Sequence, residues 1–173
     1  MIFPNFSSHK KAEMISNVNK LVKHLQETNQ TMAFAESITC GLASHQLNTI
    51  KGTSKVFRGA VICYHESVKT SLLGVSPSLI RKYTAESQQV TDALARGILN
   101  LIDADIYAAV TGLASPDGSE SAEKPTGSVF FTVRYKNKVY RRDLVFRGEP
   151  LQIRKKACDE LYGFIFECIT GSL

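Results

Sequence analysis

The 173-residue chain has no apolar run near the ~18 residues needed to cross a membrane. Its opening residues, Met1-Ile2-Phe3-Pro4-Asn5-Phe6, lack the basic flank and apolar core of a signal peptide. A cytoplasmic location without a membrane partner is the expectation. Cysteine is sparse: Cys40, Cys63, Cys158 and Cys168 contain no CxxC pair, and His9, His24, His45 and His65 show no close ligand spacing. This argues against a structural zinc site and for reduced, packed thiols, and neither a metal nor another cofactor is expected. Internal repeats are missing too. A hydrophobic content of 43% with 21% charged residues excludes a largely disordered chain. The length suits one compact domain rather than two.

The formal charge of +5 draws on Arg134, Lys136, Lys138, Arg141 and Arg142, then on Arg154, Lys155 and Lys156. No aromatic ladder or nucleic-acid reading motif accompanies these cations, so nucleic acid is not the expected partner. A phosphorylated small molecule is the simpler match.

Along the chain, Lys11 to Glu27 carries a helical stripe of Met14, Val18, Leu21, Val22 and Leu25, and Thr31 to Ala35 reads as a buried strand. Gly41 to Ile50 returns to helix, Lys51 to Ser54 is a turn, and Val56 to Tyr64 is expected as the next inner strand. Ser67 to Leu73 is a short helix closed by Gly74, and Ser76-Pro77 begins another. Ser87 caps a longer helix through Leu101, and Ile106 to Val110 is a central strand. Gly112 to Gly127 is one long loop, which at that length is a site candidate. Ser128 to Arg134 and Val139 to Phe146 form a hairpin, and Leu151 to Ile169 is the last helix. The pattern predicts an α/β fold, a single-domain three-layer sandwich with a mixed sheet: an N-terminal helix over about 8–28 and a core over about 31–169.

The segment Ala35-Glu36-Ser37-Ile38-Thr39-Cys40-Gly41 places a hydroxyl at a strand-to-helix turn. One turn of this kind can hold both a nucleophile and main-chain N–H donors for an anion, although Ser and Thr there also serve as plain helix caps. If the three inner strands are neighbours, Glu36-Ser37, Tyr64 and Thr111-Gly112 converge at their carboxyl ends. Lys69, five residues after Tyr64, is then placed to turn back into the same crevice. Ser37, Tyr64 and Lys69 together describe a Ser-Lys hydrolase in which a buried lysine of lowered pKa activates the serine. A core tyrosine and a surface helix lysine are the alternative reading.

The ordered motifs Ala35 to Gly41, Phe57-Arg58-Gly59 through Tyr64 to Lys69, Leu73-Gly74-Val75, Thr111 to Gly118, Glu123 to Gly127, and Phe146-Arg147-Gly148 followed by Arg154 resemble the CinA C-terminal domain family, the nicotinamide-nucleotide amidases. The resemblance runs from about Val18 to Ile169. It implies hydrolysis of nicotinamide mononucleotide to nicotinic acid mononucleotide and ammonia, without a catalytic metal, in a protein that self-associates. It assigns Ser37 as nucleophile with Tyr64 and Lys69 as activators. Glu36, Thr39, Cys40, Gly41, Thr111 and Gly112 are the expected substrate-binding residues, with Arg154 for the phosphate. Departures from the family pattern fall at Ile38, Cys40, Glu66 and Ser115, and Cys40 puts a side chain where the family has glycine. A catalytically impaired nucleotide-binding or regulatory protein is therefore the alternative function, and a nucleic-acid-associated protein a more distant one.

Overall fold

A computed structural model describes residues 8–116 and 118–173, with side chains from Asn17 onward. The Met14 side chain and Asp117, both used in the sequence reading, lie outside the described residues. Helix α1 (Ser8–Thr28) leads into β1 (Met32–Glu36), and α2 (Leu42–Asn48) and a short 3-10 turn (Thr53–Lys55) lead into β2 (Phe57–Ile62). Three helices follow: α3 (Glu66–Ser71), α4 (Pro77–Tyr83) and α5 (Gln88–Leu101). The chain then forms β3 (Ile106–Gly112), β4 (Ser128–Tyr135), β5 (Lys138–Val145) and α6 (Pro150–Thr170).

Local chemistry sets several of these boundaries. Ser76 and Ser87 accept N–H donors at the starts of α4 and α5. Glu149 and Gln152 close a capping box at the start of α6, with Pro150 in its first turn. Asn29 ends α1 and Gly171 ends α6, both at positive φ.

The sheet order is β2-β1-β3-β4-β5, parallel across β2, β1 and β3 and antiparallel from β3 to β5. Alternation along β1 and β3 divides the interior into two cores. Met32, Phe34, Ile106, Ala108 and Val110 pack with residues of α1, α2 and α6 on one face. Ala33, Ala35, Tyr107 and Ala109 pack with residues of α4 and α5 on the other. This is the expected three-layer α/β sandwich with a mixed sheet.

One expectation is corrected: β2 is an edge strand, not an inner one. Its apolar run is covered on its faces, Phe57 and Ala60 on one side and Val61 on the other, while Ile62 is 50% exposed. Face burial and sheet position are independent, so a run of apolar residues signals only the first.

The crossovers explain where the carboxyl ends meet. From β1 the chain passes through α2 to β2 on one side of it, then returns through α3 to α5 to β3 on the other. Reversal of direction under a constant crossover hand puts the connecting helices on opposite faces and opens a crevice at the ends of β1 and β3.

Close packing of α5 against the segment that follows α3 depends on Gly97, where an added Cβ would sit 2.2 Å from the Leu73 carbonyl oxygen. Alanine would raise helix propensity by about 0.5–1 kcal/mol, but overpacking against backbone costs about 1–3 kcal/mol. Gly97→Ala is expected to lower unfolding stability by about 1–2 kcal/mol net, read from the urea midpoint at unchanged m-value.

Candidate active site

Ser37 follows the last residue of β1 and Lys69 lies in α3, 32 residues later, yet Lys69 Nζ sits 2.9 Å from Ser37 Oγ. The turn is tied to the sheet by the Ser37 N–H, which donates to the Val110 carbonyl of β3 at 3.0 Å. Lys69 is fully buried and Ser37 is 5% exposed. The other neighbours of Nζ are the main-chain carbonyls of Cys63 at 2.5 Å and Tyr64 at 3.0 Å.

Lys69 Nζ donates to all three oxygens, the full set of N–H bonds of an ammonium; a neutral amine would keep two N–H bonds for the carbonyls and turn its lone pair to the Ser37 hydroxyl. Burial supplies the bias, pushing Lys69 below the ordinary lysine value, while the charges of Cys63, Glu86 and Glu66 oppose it. The Cys63 contribution arises only when that thiol ionises, and burial raises its pKa to about 11. Cys63 is therefore a protonated thiol at neutral pH, donating at 3.4 Å to the Glu36 carbonyl, and no rival nucleophile.

Glu36 has a different role from the expected one. Its fully buried carboxylate accepts from Thr39 Oγ1 at 2.7 Å, from the N–H groups of Gly41, Ala43 and Ser44 at 2.9, 3.3 and 2.9 Å, and from Ser44 Oγ at 2.5 Å. The side chain binds the start of α2 and fixes the shape of the turn; it has no capacity left for a substrate. Thr39 is consumed in the same arrangement. The Cys40 N–H goes to the Ser37 carbonyl at 3.1 Å, so neither Cys40 nor Gly41 offers a free main-chain donor to an oxyanion. The Ile38 and Thr39 N–H groups are the donors that remain in the turn.

A cavity of about 220 Å³ opens beside Ser37. Ile38 and Tyr64 line it from the strand ends, Gly112 to Pro116 and Gly118 from the end of β3 and the long loop, Glu86 from the α4–α5 connection, and Arg154 from α6. Gly112 is required there, since a Cβ would meet the Ser128 carbonyl oxygen at 2.5 Å. Arg154 spans the layers, donating through Nε to the Ile38 carbonyl at 3.1 Å.

Several expected site residues fall elsewhere. Glu36, Thr39, Cys40 and Gly41 do not line the cavity; Cys40 is exposed, at φ 49. A side chain is accommodated there because it points to solvent, so it does not narrow the pocket. Thr111 is buried and shares a 2.8 Å hydrogen bond with Thr91 that ties β3 to α5, and it does not line the cavity. Tyr64 is 62% exposed, and its hydrogen bond with Lys69 is through the main-chain carbonyl, not the phenol. Of the four departures from the family pattern, Ile38 and Ser115 line the cavity, whereas Cys40 and Glu66 are exposed.

Sequence reasoning missed Glu86. It stands one residue before a helix cap, in a stretch with no motif to mark it, and only the approach of the long loop to the α4–α5 connection brings it into the cavity.

Two outcomes test this geometry. Glu36→Gln replaces an all-acceptor group by one that presents N–H to N–H, and is expected to destabilise the fold by about 2–3 kcal/mol in chemical denaturation. Lys69 binds its proton more weakly folded than unfolded, so its contribution to stability rises with pH from its lowered folded pKa up to the ordinary value of 10.5. The stability difference between wild type and Lys69→Met should therefore shift in favour of wild type as pH rises through that window. A difference that is flat with pH would mean an unperturbed lysine.

Comparisons with known proteins bear on the family and the fold. The chain is 39% identical over 131 residues to a CinA-like protein of Prochlorococcus marinus (strain MIT 9215), covering 76% of this chain and 30% of that protein. It is 43% identical over 118 residues to a CinA-like protein of Mycobacterium tuberculosis (strain ATCC 25177 / H37Ra), covering 68% and 27%. The chain thus spans less than a third of the length of these curated relatives. Among solved structures, the competence/damage inducible protein CihA from Agrobacterium tumefaciens superimposes with a TM-score of 0.84 at 26% identity, covering 96% of this chain and 97% of that one. A CinA superfamily protein from Escherichia coli does so with a TM-score of 0.86 at 23% identity, covering 97% and 95%, a likeness of fold. The model of the CinA C-terminal domain matches residues 15–169, and the chain belongs to that family.

Proposed function

We propose that this domain is an amidohydrolase that deamidates nicotinamide mononucleotide to nicotinic acid mononucleotide and ammonia. The observation that carries the reading is the buried Lys69 Nζ at 2.9 Å from Ser37 Oγ, at the edge of a cavity that also holds a guanidinium. Family membership supports the same class of chemistry.

Neutral Lys69 takes the Ser37 hydroxyl proton as Oγ attacks the carboxamide carbon. The cationic ring withdraws electrons and makes that carbon more electrophilic. The tetrahedral oxyanion is met by the main-chain N–H of Ile38, which lines the cavity beside Ser37; loss of one such donor in other hydrolases costs roughly 3–4 kcal/mol. Protonated Lys69 then delivers its proton to the leaving nitrogen, the C–N bond breaks and ammonia departs, leaving an ester on Ser37. A water gives its proton to Lys69, attacks the ester, and releases the acid as Ser37 regains a proton. The two carbonyls on Nζ hold the amine in place through both half-reactions.

Arg154 is the phosphate ligand in this reading. Its Nε is committed to the Ile38 carbonyl, so the phosphate meets the Nη groups, and binding of substrate is coupled to the turn that carries Ser37. Tyr64 forms part of the cavity wall, and its hydrogen bond with Lys69 is through the main-chain carbonyl.

Ammonia release from nicotinamide mononucleotide is the direct test. Ser37→Ala should abolish it with folding intact, and Lys69→Met should lower kcat/KM by about 10²- to 10⁴-fold. Tyr64→Phe should have a much smaller effect. The rate should rise with pH through the lowered pKa of Lys69 and level off below the ordinary lysine range. Unchanged rates in Lys69→Met, or a flat profile, would assign the base elsewhere. Tight binding of the nucleotide without turnover would favour the regulatory alternative.

A further inference from the structure

Glu86 takes no part in the Ser37–Lys69 chemistry, yet it puts a carboxylate into the same cavity. Its position is built from two segments. Ser119, in the long loop, donates to Glu86 Oε2 at 2.6 Å. Lys124, further along that loop, contacts Ser119 Oγ at 2.8 Å, the Glu86 main-chain carbonyl at 3.2 Å, and Thr84 Oγ1. Thr84 is held at φ 68, ψ 161, a conformation that β-branched residues rarely adopt. The loop and the α4–α5 connection thus act together to hold one carboxylate in a set orientation.

That carboxylate has no ion-pair partner among the described residues. Lys124 reaches the carboxylate only through Ser119, its own contacts being a carbonyl and two hydroxyls, so its charge acts on Glu86 without a direct ion pair. Among the described residues of the cavity lining, Glu86 and Arg154 are the charged ones, one of each sign. A ligand that satisfies both carries an anion and a cation. Glu86 and Ser37 line the same cavity, which places Glu86 on the space that a ligand reacting at Ser37 would fill.

We propose that Glu86 is a specificity-determining residue that selects substrates whose amide is carried on a cationic heteroaromatic ring over those with an uncharged ring. The inference rests on the amidase reading and extends it to the charge of the ring. Opposite charges a few ångströms apart in a partly desolvated cavity attract strongly enough to change relative affinity by about tenfold or more. A hydroxyl acceptor at the same position would lack this dependence on ring charge.

The test is binding to the Ser37→Ala protein, which holds the ligand without turnover. The two probes are nicotinamide mononucleotide and its reduced form, which has the same ribose and phosphate but an uncharged ring. The expected result is a preference of about tenfold or more for the oxidised nucleotide that falls towards unity when Glu86→Gln is added, and that is retained with Glu86→Asp. A ratio unchanged by Glu86→Gln overturns the inference, whether the two affinities fall together or stay constant. If Glu86→Gln does not fold, Glu86→Ala replaces it on the same ratio. Ammonia release by the wild type is measured alongside. Turnover with an unchanged ratio overturns the inference alone; absence of both turnover and nucleotide binding overturns the amidase reading and the inference with it.

Discussion

The burial of one lysine is the constraint on which the site depends. Burial makes the Lys69 amine costly to protonate, and the two carbonyls and one hydroxyl around it offset part of that cost. Three elements must agree for it to exist. The end of β1 supplies Ser37, the residues after β2 supply the two carbonyls, and the first turns of α3 aim the side chain back across the sheet edge. The parallel pairing of β1 with β2 brings those parts to one end of the sheet.

Glu36 is the counterpart of Lys69 on the other side of the same turn. It neutralises main-chain donors at the start of α2 with a full set of hydrogen bonds, and so gives the Ser37 segment a rigid support. The adjacent residues Glu36 and Ser37 divide the work: one side chain faces into the turn and stabilises it, the other faces the cavity. Arg154 adds a third restraint from α6, so the turn is fixed from the sheet, from α2 and from the last helix.

The long loop contributes differently. Leu113 to Pro116 form a wall that begins where β3 ends, and Ser119 and Lys124 fasten the loop to the α4–α5 connection. Burial lowers the pKa of Lys124, opposed by Glu86 and Glu120, and its contacts are mostly neutral oxygens. The cavity therefore has a fixed floor at the strand ends and a side assembled from two connections that meet only in the folded chain.

Helical stripes, caps and the hairpin were legible in the sequence because they depend on neighbours within a few residues: Ser76, Ser87 and the Val90-Leu94-Ile98 stripe are local signals. The strand-to-helix turn at Ser37 was legible for the same reason, and the mixed sheet followed from the order of elements. Strand position was not, since β2 carries the apolar content of an inner strand but lies at the edge. Nor were the duties of neighbouring residues in one motif. Sequence placed Glu36, Thr39, Cys40 and Gly41 beside the substrate, whereas backbone direction turns them into support or towards solvent. Tyr64 acts on Lys69 through a carbonyl, which any residue type provides and no pattern marks. Glu86 entered only through a contact between segments 33 residues apart. Local chemistry determined the elements and the turn at Ser37, whereas tertiary packing decided which side chains share the cavity, because it alone sets direction and burial across distant segments.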